Sequence, residues 1–564
     1  MNPSAKVGKS VIGTFLKMVK TGKNVPDFWL LGIWIVLGTF LRFLLLTAKP
    51  PWTDEFATMV FSAGNNFDSV PIDRLVSIDT LLQPLQVNPT ATAPDVIDLL
   101  LHEDNHPPLY FVLAHFWMKL FPDGGGYISL FAARSLAAFF GVLAIPLSYF
   151  LGRIVFSSRL VGQLCAAMMA LSPYAIFSAQ EARHYTLAIL FVITSLLCFL
   201  VSSQYLFQRR KIPYFVIFGW LLSNCLGLLT HYFFSIAIVA EGLTLLFILL
   251  YQIYRKQFQL ANWVRVGLVY LGTASFLAIW FLTVIPKDHG SQMTDWIVRD
   301  TRNLLILLDP VFQLLGTMIT MLSLLPVESD NLAIVIISGA LMLAFFLYAI
   351  PRFKRSWSSV DGWEFRVLVG FWASSIATFF FISYVLSMDI TKGARYSFVY
   401  FPAVILIVAV LLADGWRRGW KRFVIGVLVM AFVSSICVNL NLGYRKYYRP
   451  DRLVPIIREN STDSAPIVTH YKSLVEVGEM MGIAREFKRQ FPDRNPRFLF
   501  ISRPEELKDK VVLAETPELW LVNFPNPIEL LYRQIPIDLP GCRPVSEEFP
   551  YVAGYVYKKY SCER

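Results

Sequence analysis

Four short stretches of this chain set carboxylates, an arginine and histidines beside long apolar runs. In "PPWTDEF" (50–56), prolines close the first apolar run, Thr53 is suited to cap a new helix, and Asp54 and Glu55 fall in its first turn. Acids there complement the helix dipole. "LHEDNHPPLYF" (101–111) carries Glu103, Asp104 and His106 ahead of Pro107-Pro108, which stiffen the start of the next helix. "SAQEARHYTL" (178–187) brings Glu181, Arg183, His184 and Tyr185 to a boundary between two apolar runs, and "THYFF" (230–234) puts His231 at another. The fork-shaped guanidinium of Arg183 suits an anionic headgroup. Glu103, Asp104 and His106 have ligand-type side chains for a metal, but their spacing matches no recognised ligand signature. Each stretch alone also fits an ordinary interfacial anchor. Jointly they exceed what loop polarity requires.

The elements that must hold these groups follow from composition. The chain has 564 residues, 55% hydrophobic and only 16% charged, with a mean hydropathy of +0.52. Soluble domains carry about a quarter charged residues. The net charge of +11 is not a nucleic-acid footprint, because Lys and Arg gather in short loops between apolar runs. This is the pattern of an α-helical polytopic membrane protein. Runs near the roughly 20 residues a spanning helix needs lie at 28–48, 128–152, 160–178, 185–203, 213–230, 233–253, 264–285, 331–350, 366–387, 397–413 and 423–441. If these alternate, the basic loops at 153–159, 208–211, 254–257, 351–355 and 416–422 share one side with the basic N-terminus. The positive-inside rule makes that side cytoplasmic. Segment 1–26 then reads as a cytoplasmic amphipathic helix, 27–441 as the membrane domain and 49–126 as one long exterior loop. Within that loop, 107–121 is too short to span and reads as an interfacial helix, with a stripe of Leu109, Leu113, Phe116, Trp117 and Leu120 and with His115 and Lys119 toward water.

Beyond Leu442 the texture is that of a small exterior α/β domain (442–564). "APIVTHY", "PRFLFIS" and "ELWLVNF" read as buried strands, 474–490 and 503–509 as helices, and "YVAGYVYKKY" as an edge strand. Cys542 and Cys562 flank a strand-like stretch there and are free to pair if the region is extracytoplasmic. The loop 286–330, with Trp296, reads as an ordinary loop or as a lid.

Taken together, "DE" at 54–55, "EDNHPPLYF" at 103–111, "SAQEARHYTL" and "THYFF" resemble the polyprenyl-phosphate-sugar-dependent glycosyltransferases of the C superfamily. Family 39, the protein O-mannosyltransferase-like group, and its bacterial envelope-modifying relatives are the most similar. "GARYSFVYFPAVILIVAVLL" (393–412) resembles a late family segment in which an Arg-Tyr pair, here Arg395-Tyr396, opens a span. The resemblance covers roughly 28–440. It implies a lipid-linked sugar donor at the exterior face of a cell membrane, most simply a bacterial inner membrane, and a lipid, glycan or protein acceptor. Asp54 would be the general base of an inverting displacement, with Glu55 orienting it or the sugar hydroxyls. Arg183, then Arg395, with Lys392 as a third choice, would meet the departing phosphate. Glu103, Asp104, His106, Glu181, His184, Tyr185, His231 and Tyr396 would line the substrate site. His106 and His231 would position substrate or ligate a divalent cation, a cofactor the resemblance leaves open. The rival readings are a secondary transporter, which would keep its ionisable groups at mid-bilayer, and a polysaccharide polymerase or ligase.

Overall fold

The computed structural model describes residues 25–122, 125–286, 297, 307–461, 465–503, 517–524, 542–546 and 550–562. The N-terminal segment to residue 24, most of the loop that carries Trp296, and most of the helix expected over 503–509 lie outside them. Every one of the expected apolar runs carries helix: Val25–Phe43, Leu130–Val155, Arg159–Leu171 with Pro173–Ala179, Tyr185–Phe207, Tyr214–Leu228, Phe234–Tyr254, Leu260–Ile279, Leu332–Trp357, Trp363–Tyr384, Phe401–Arg417 and Lys421–Asn439. Among the described residues, 7 of these helices are long and apolar enough to cross a membrane unaided, and the Arg159–Leu171/Pro173–Ala179 pair, bent by 55°, makes an eighth.

The bend has a local cause. Pro173 has no N–H to continue the helix, and Ser172 starts a new one by accepting from the Ala175 amide. The carbonyls left at the break need donors in a setting without water. Arg42 of the first helix supplies them, donating from Nη2 to the Met169 oxygen at 2.9 Å and from Nη1 to the Ala170 oxygen at 3.3 Å. Deeper in the bundle, Glu241 accepts from Ser195 Oγ at 2.8 Å and Trp220 Nε1 at 2.9 Å, which ties three helices together. Within the predicted 286–330 loop, the described part includes a helix, Asp309–Thr320.

The long loop after the first apolar run folds into helices Thr53–Ser62, Ile78–Leu81, Ala93–His102 and Leu109–Met118. The last begins where the two prolines predict. It buries Tyr110, Phe111, Ala114 and His115, and leaves Leu113, Phe116 and Leu120 exposed. The expected orientation of His115 is therefore wrong. Its Nδ1 lies 2.8 Å from the Ser62 carbonyl, which offers it the partner that water would. The greasy stripe is the outer face, as suits a helix lying against lipid.

The C-terminal region forms one sheet with strands β1 (Leu75–Val76), β2 (Ile467–His470), β3 (Phe498–Ile501), β4 (Glu518–Asn523), β5 (Cys542–Pro544), β6 (Tyr551–Val552) and β7 (Tyr555–Cys562). The order is β1-β3-β2-β4-β7-β5, with β6 paired to β7. β2 lies parallel to β3 and β4, and Leu474–Gln490 is the crossover helix between β2 and β3. The sequence expectation of an edge strand at 551–560 is corrected. Ala553 and Gly554 both have positive φ (42° and 95°), the geometry of a two-residue hairpin turn, so the stretch splits into β6 and β7. β7 then lies inside the sheet, between β4 and β5. Cys542 and Cys562 face each other across β5 and β7 and are joined by a disulfide.

The edge strand β1 comes from the first loop and pairs antiparallel with β3, Leu75 opposite Leu499. One apolar core holds Phe56, Met59 and Phe111 of that loop together with Val477, Met480, Phe487 and Trp520. Gly478 is what permits this contact, because a Cβ there would stand 2.7 Å from Thr53 Cγ2. Gly478→Ala should therefore cost about 1–3 kcal/mol. Thermal unfolding of the detergent-solubilised protein should show a lower midpoint and easier proteolysis of the C-terminal region than in a Gly339→Ala control, where nothing lies within 4 Å of the new methyl.

Candidate active site

The helix Thr53–Ser62 starts without the expected cap. Thr53 is its first residue rather than its cap, and the residue at the cap position, Trp52, offers no side-chain acceptor. Glu479, from the crossover helix of the C-terminal region, takes that place. Its Oε1 accepts from the Thr53 amide at 3.2 Å and from the Thr53 hydroxyl at 2.6 Å. A carboxylate at a helix N-terminus is favoured by the exposed amides and the dipole.

Adjacent residues on a helix point about 100° apart, so Asp54 and Glu55 meet different surroundings. Glu55 is completely buried. Arg134 grips it from both ends, Nε to Oε1 at 2.7 Å and Nη2 to Oε2 at 2.8 Å, and the Ala182 amide donates to Oε1 at 2.8 Å. Lys446 bridges Glu55 Oε2 at 3.1 Å and Glu181 Oε1 at 2.6 Å. Burial alone would raise the Glu55 carboxyl, but Arg134 and Lys446 hold it far below the usual carboxylate range. Nearby, Lys49 donates to Gln180 Oε1 at 3.1 Å, and burial, with Lys446 and Arg134 beside it, brings its ammonium down to about 7.

Asp54 is different, with a side chain 29% exposed. Its Oδ2 lies 3.7 Å from Arg183 Nη2 and 3.7 Å from Arg395 Nη1. Arg183 is fixed by bonds to the Asp54 carbonyl and Thr58 Oγ1, each 3.0 Å, and its Nη2 lies 2.8 Å from His106 Nε2. His106 Nδ1 in turn meets Asp104 at 2.9 Å, completing a chain Asp104–His106–Arg183. Arg395 lies over the Trp52 ring at 4.7 Å, and Lys446 is 5.5 Å from the same ring. His184 packs between His106 and His231, with ring centroids at 5.3 Å and 4.7 Å. Burial and the surrounding cationic and imidazole groups keep His184 and His231 far below the ordinary histidine value. Among the described residues neither His184 nitrogen has a hydrogen-bond partner, a costly state for a buried polar group that a bound hydroxyl would relieve.

The structure thus brings together Asp54, Glu55, Asp104, His106, Glu181, Arg183, His184, Tyr185, His231, Arg395 and Tyr396. Tyr185 lies 5.8 Å from the His231 ring and Tyr396 lies 5.8 Å from it on another side. Glu103 is not part of the cluster. It turns to Asn66 Nδ2, 3.2 Å away, in the outer part of the loop. Lys392 is exposed, three residues before Arg395 in the chain. Glu55 is sealed from any substrate by its ion pairs. A metal does not fit the expected pair. His106 faces Asp104 on one side and Arg183 on the other, His231 Nδ1 accepts from the Phe233 amide at 3.0 Å, and among the described residues no three His, Cys, Asp or Glu side chains converge to hold an ion.

Sequence reasoning missed Arg134, Lys446, Trp52 and Glu479. Arg134 carried a signal, a lone arginine early in a spanning helix. Lys446 and Glu479 carried none, since they reach the site only through the fold.

The chain has an ArnT-like fold, a helical bundle with apolar spans and a small C-terminal sheet, as the sequence predicts. The particular structure that shows it is ArnT from Cupriavidus metallidurans in the apo state, at 12% identity and a TM-score of 0.51, over 93% of this chain and 97% of that one. The same ArnT bound to undecaprenyl phosphate gives 0.49. The archaeal oligosaccharyltransferase AglB from Archaeoglobus fulgidus, in complex with an inhibitory peptide and a dolichol-phosphate, gives 0.43 at 12% identity, over 95% of this chain and 74% of that one. No family model matches the chain, and no curated protein matches it by sequence.

Burial raises the Glu479 carboxyl from 4.5 to about 7 against the pull of its Thr53 hydrogen bonds. Because the folded value lies above the unfolded one, its contribution to stability is complete below pH 4.5 and disappears as pH rises through 7. Wild-type protein should lose on the order of 3 kcal/mol across that window from this group. In Glu479→Gln that part of the slope should vanish in thermal scans at successive pH values.

Proposed function

We propose that this chain is a membrane glycosyltransferase that moves a sugar from a polyprenyl-phosphate donor to an acceptor hydroxyl at the exterior face. The observation that carries the reading is Asp54 Oδ2 standing 3.7 Å from two guanidinium groups, those of Arg183 and Arg395. Transfer from a lipid phosphate needs both functions in one place. A carboxylate must take the proton of the attacking hydroxyl, and cations must receive the charge that grows on the departing phosphate.

In this reading Asp54, the exposed member of the acid pair, is the general base. Attack on the anomeric carbon from the face opposite the phosphate passes through an oxocarbenium-like state and inverts the centre. Arg183, held in one orientation by Asp104–His106 and Thr58, meets the phosphate, and Arg395, backed by Trp52, completes the clamp. Glu55 acts only by fixing the helix. His184, with two unpartnered nitrogens, and His231, Tyr185 and Tyr396 line the space for sugar hydroxyls. ArnT, whose fold this chain resembles, occurs in a form bound to undecaprenyl phosphate, which supports a polyprenyl carrier. The Cys542–Cys562 disulfide supports an exterior, oxidising location for the C-terminal region and so for the site beneath it, as in a periplasm-facing bacterial inner-membrane protein.

The test is transfer from a polyprenyl-phosphate sugar by purified protein. Asp54→Asn should keep its fold and lose about 10²–10⁴-fold in turnover; wild-type turnover would remove Asp54 as base. Arg183→Ala should weaken donor use much more than acceptor use, and equal effects on both would exclude a phosphate role. A reporter fused after Leu442 should read as exterior, and a cytoplasmic signal would overturn the orientation.

A further inference from the structure

At the end of the bundle away from Asp54, the basic loops at 351–355 and 416–422 meet. Arg417 Nη2 also reaches Ser158 Oγ at 2.9 Å, so the loop between the second and third apolar runs lies at the same end. Positive loops are expected there on topological grounds alone. Two of them show only that. Arg210 lies 5.3 Å over Tyr205 of its own helix end, and Arg255 lies 5.9 Å over Tyr251 of its own.

The junction of helices Leu332–Trp357 and Lys421–Asn439 is built differently. Arg352, Arg355, Lys421 and Arg422 line a groove of about 680 Å³. None of these four forms an ion pair among the described residues. The acids closest in sequence are engaged elsewhere, Asp414 with Arg418 at 2.6 Å and Asp361 with Arg366. Like charges gathered around one cavity repel, and an anion in the groove relieves that cost. The floor is aromatic and preformed. Phe423 is buried, with its ring centroid 6.1 Å from Tyr348 and 5.2 Å from Phe353, so the two helices are pinned at this point. The Arg352 guanidinium lies 3.7 Å over the Tyr348 ring, and its Nη1 donates to the Tyr348 carbonyl at 2.7 Å. Stacking holds this planar fork in place for an anion with several oxygens, such as a phosphate.

Exposed apolar side chains follow the groove on both helices. Leu347, Ile350, Ile425 and Val429 are exposed on the two helices just beyond it, toward the middle of the bundle. A free phosphate uses only the cationic mouth. A phospholipid uses both parts, headgroup in the groove and acyl chains along the exposed faces.

We propose that the groove between helices Leu332–Trp357 and Lys421–Asn439 is a binding site for an anionic glycerophospholipid, its phosphate held by Arg352, Arg355, Lys421 and Arg422. The site is independent of the transfer reaction and stands whether or not that reading holds.

The test is lipid retention by full-length protein in nanodiscs of mixed phosphatidylglycerol and phosphatidylcholine, read by native mass spectrometry after delipidation. Wild type should retain phosphatidylglycerol in preference to phosphatidylcholine. The variant Arg355→Gln/Lys421→Gln/Arg422→Gln, which leaves the stacked Arg352 intact, should retain at least fivefold less. A control of equal charge loss at the same end, Arg209→Gln/Arg210→Gln/Arg255→Gln, should match wild type. Equal loss in both variants would reduce the effect to general surface charge and overturn the proposal. Displacement of the lipid by millimolar inorganic phosphate would assign the groove to free anions and overturn it as well. A thermal midpoint of the triple variant within a few degrees of wild type shows that lost retention is not lost fold; where it is lower, the single variant Arg422→Gln replaces it, with retention reduced at least twofold expected and unchanged retention counting against the site.

Discussion

A carboxylate with no access to water is tolerated only when cations and donors surround it, because uncompensated burial costs several kcal/mol. Glu55 is that carboxylate, and its matching partners determine much of what lies around it. Arg134 comes from the second apolar run, the Ala182 amide from the turn before the fourth, and Lys446 from the segment after the last. Arg134 also donates to the carbonyls of Leu46 and Lys49, so the same guanidinium fixes where the first helix ends and the loop begins. Four distant parts of the chain are thus fastened at one point. Once Glu55 is held inward, helical geometry turns its neighbour Asp54 the other way, toward Arg183 and Arg395. The acid that stays reachable owes its direction to the one that is sealed.

The membrane helices were legible because apolar runs near spanning length have few alternative fates, and each run carries helix. The parallel strands β2, β3 and β4 were legible for a related reason, since strands buried on both faces read as unbroken apolar stretches. The clustering of Asp54, His106, Arg183, His184, His231 and Arg395 was anticipated from the order of polar stretches at successive ends of the spans. Sequence periodicity reports what each element buries but not which element buries it. For that reason the pairing of Leu75 with Leu499, the cap that Glu479 gives Thr53, and the bridge made by Lys446 were invisible. The hairpin at Ala553-Gly554 was missed because an Ala-Gly turn is a weaker signal than Asn-Gly. His115 was misjudged because helix 109–118 is apolar on nearly every side, so its polar residue could not reveal which face is solvated.

The two ends of the bundle solve opposite electrostatic problems. At the Asp54 end, acids and bases interlock, and Asp54 stands partly exposed between two guanidiniums. At the other end, cations of the 351–355 and 416–422 loops outnumber acids. A single chain therefore carries a balanced site at one end and an unbalanced rim at the other, with apolar helices insulating one from the other.

The strand Leu75–Val76 has a consequence for biogenesis. Its partner, Phe498–Ile501, is made more than 400 residues later, after every membrane helix has been synthesised. The same delay applies to Lys446 and Glu479, which complete the surroundings of Glu55 and Thr53. The loop bearing the acid pair must wait, unfinished, until the ribosome has delivered the last fifth of the polypeptide. The surroundings of Asp54 and Glu55 are therefore completed among the last events of assembly rather than among the first.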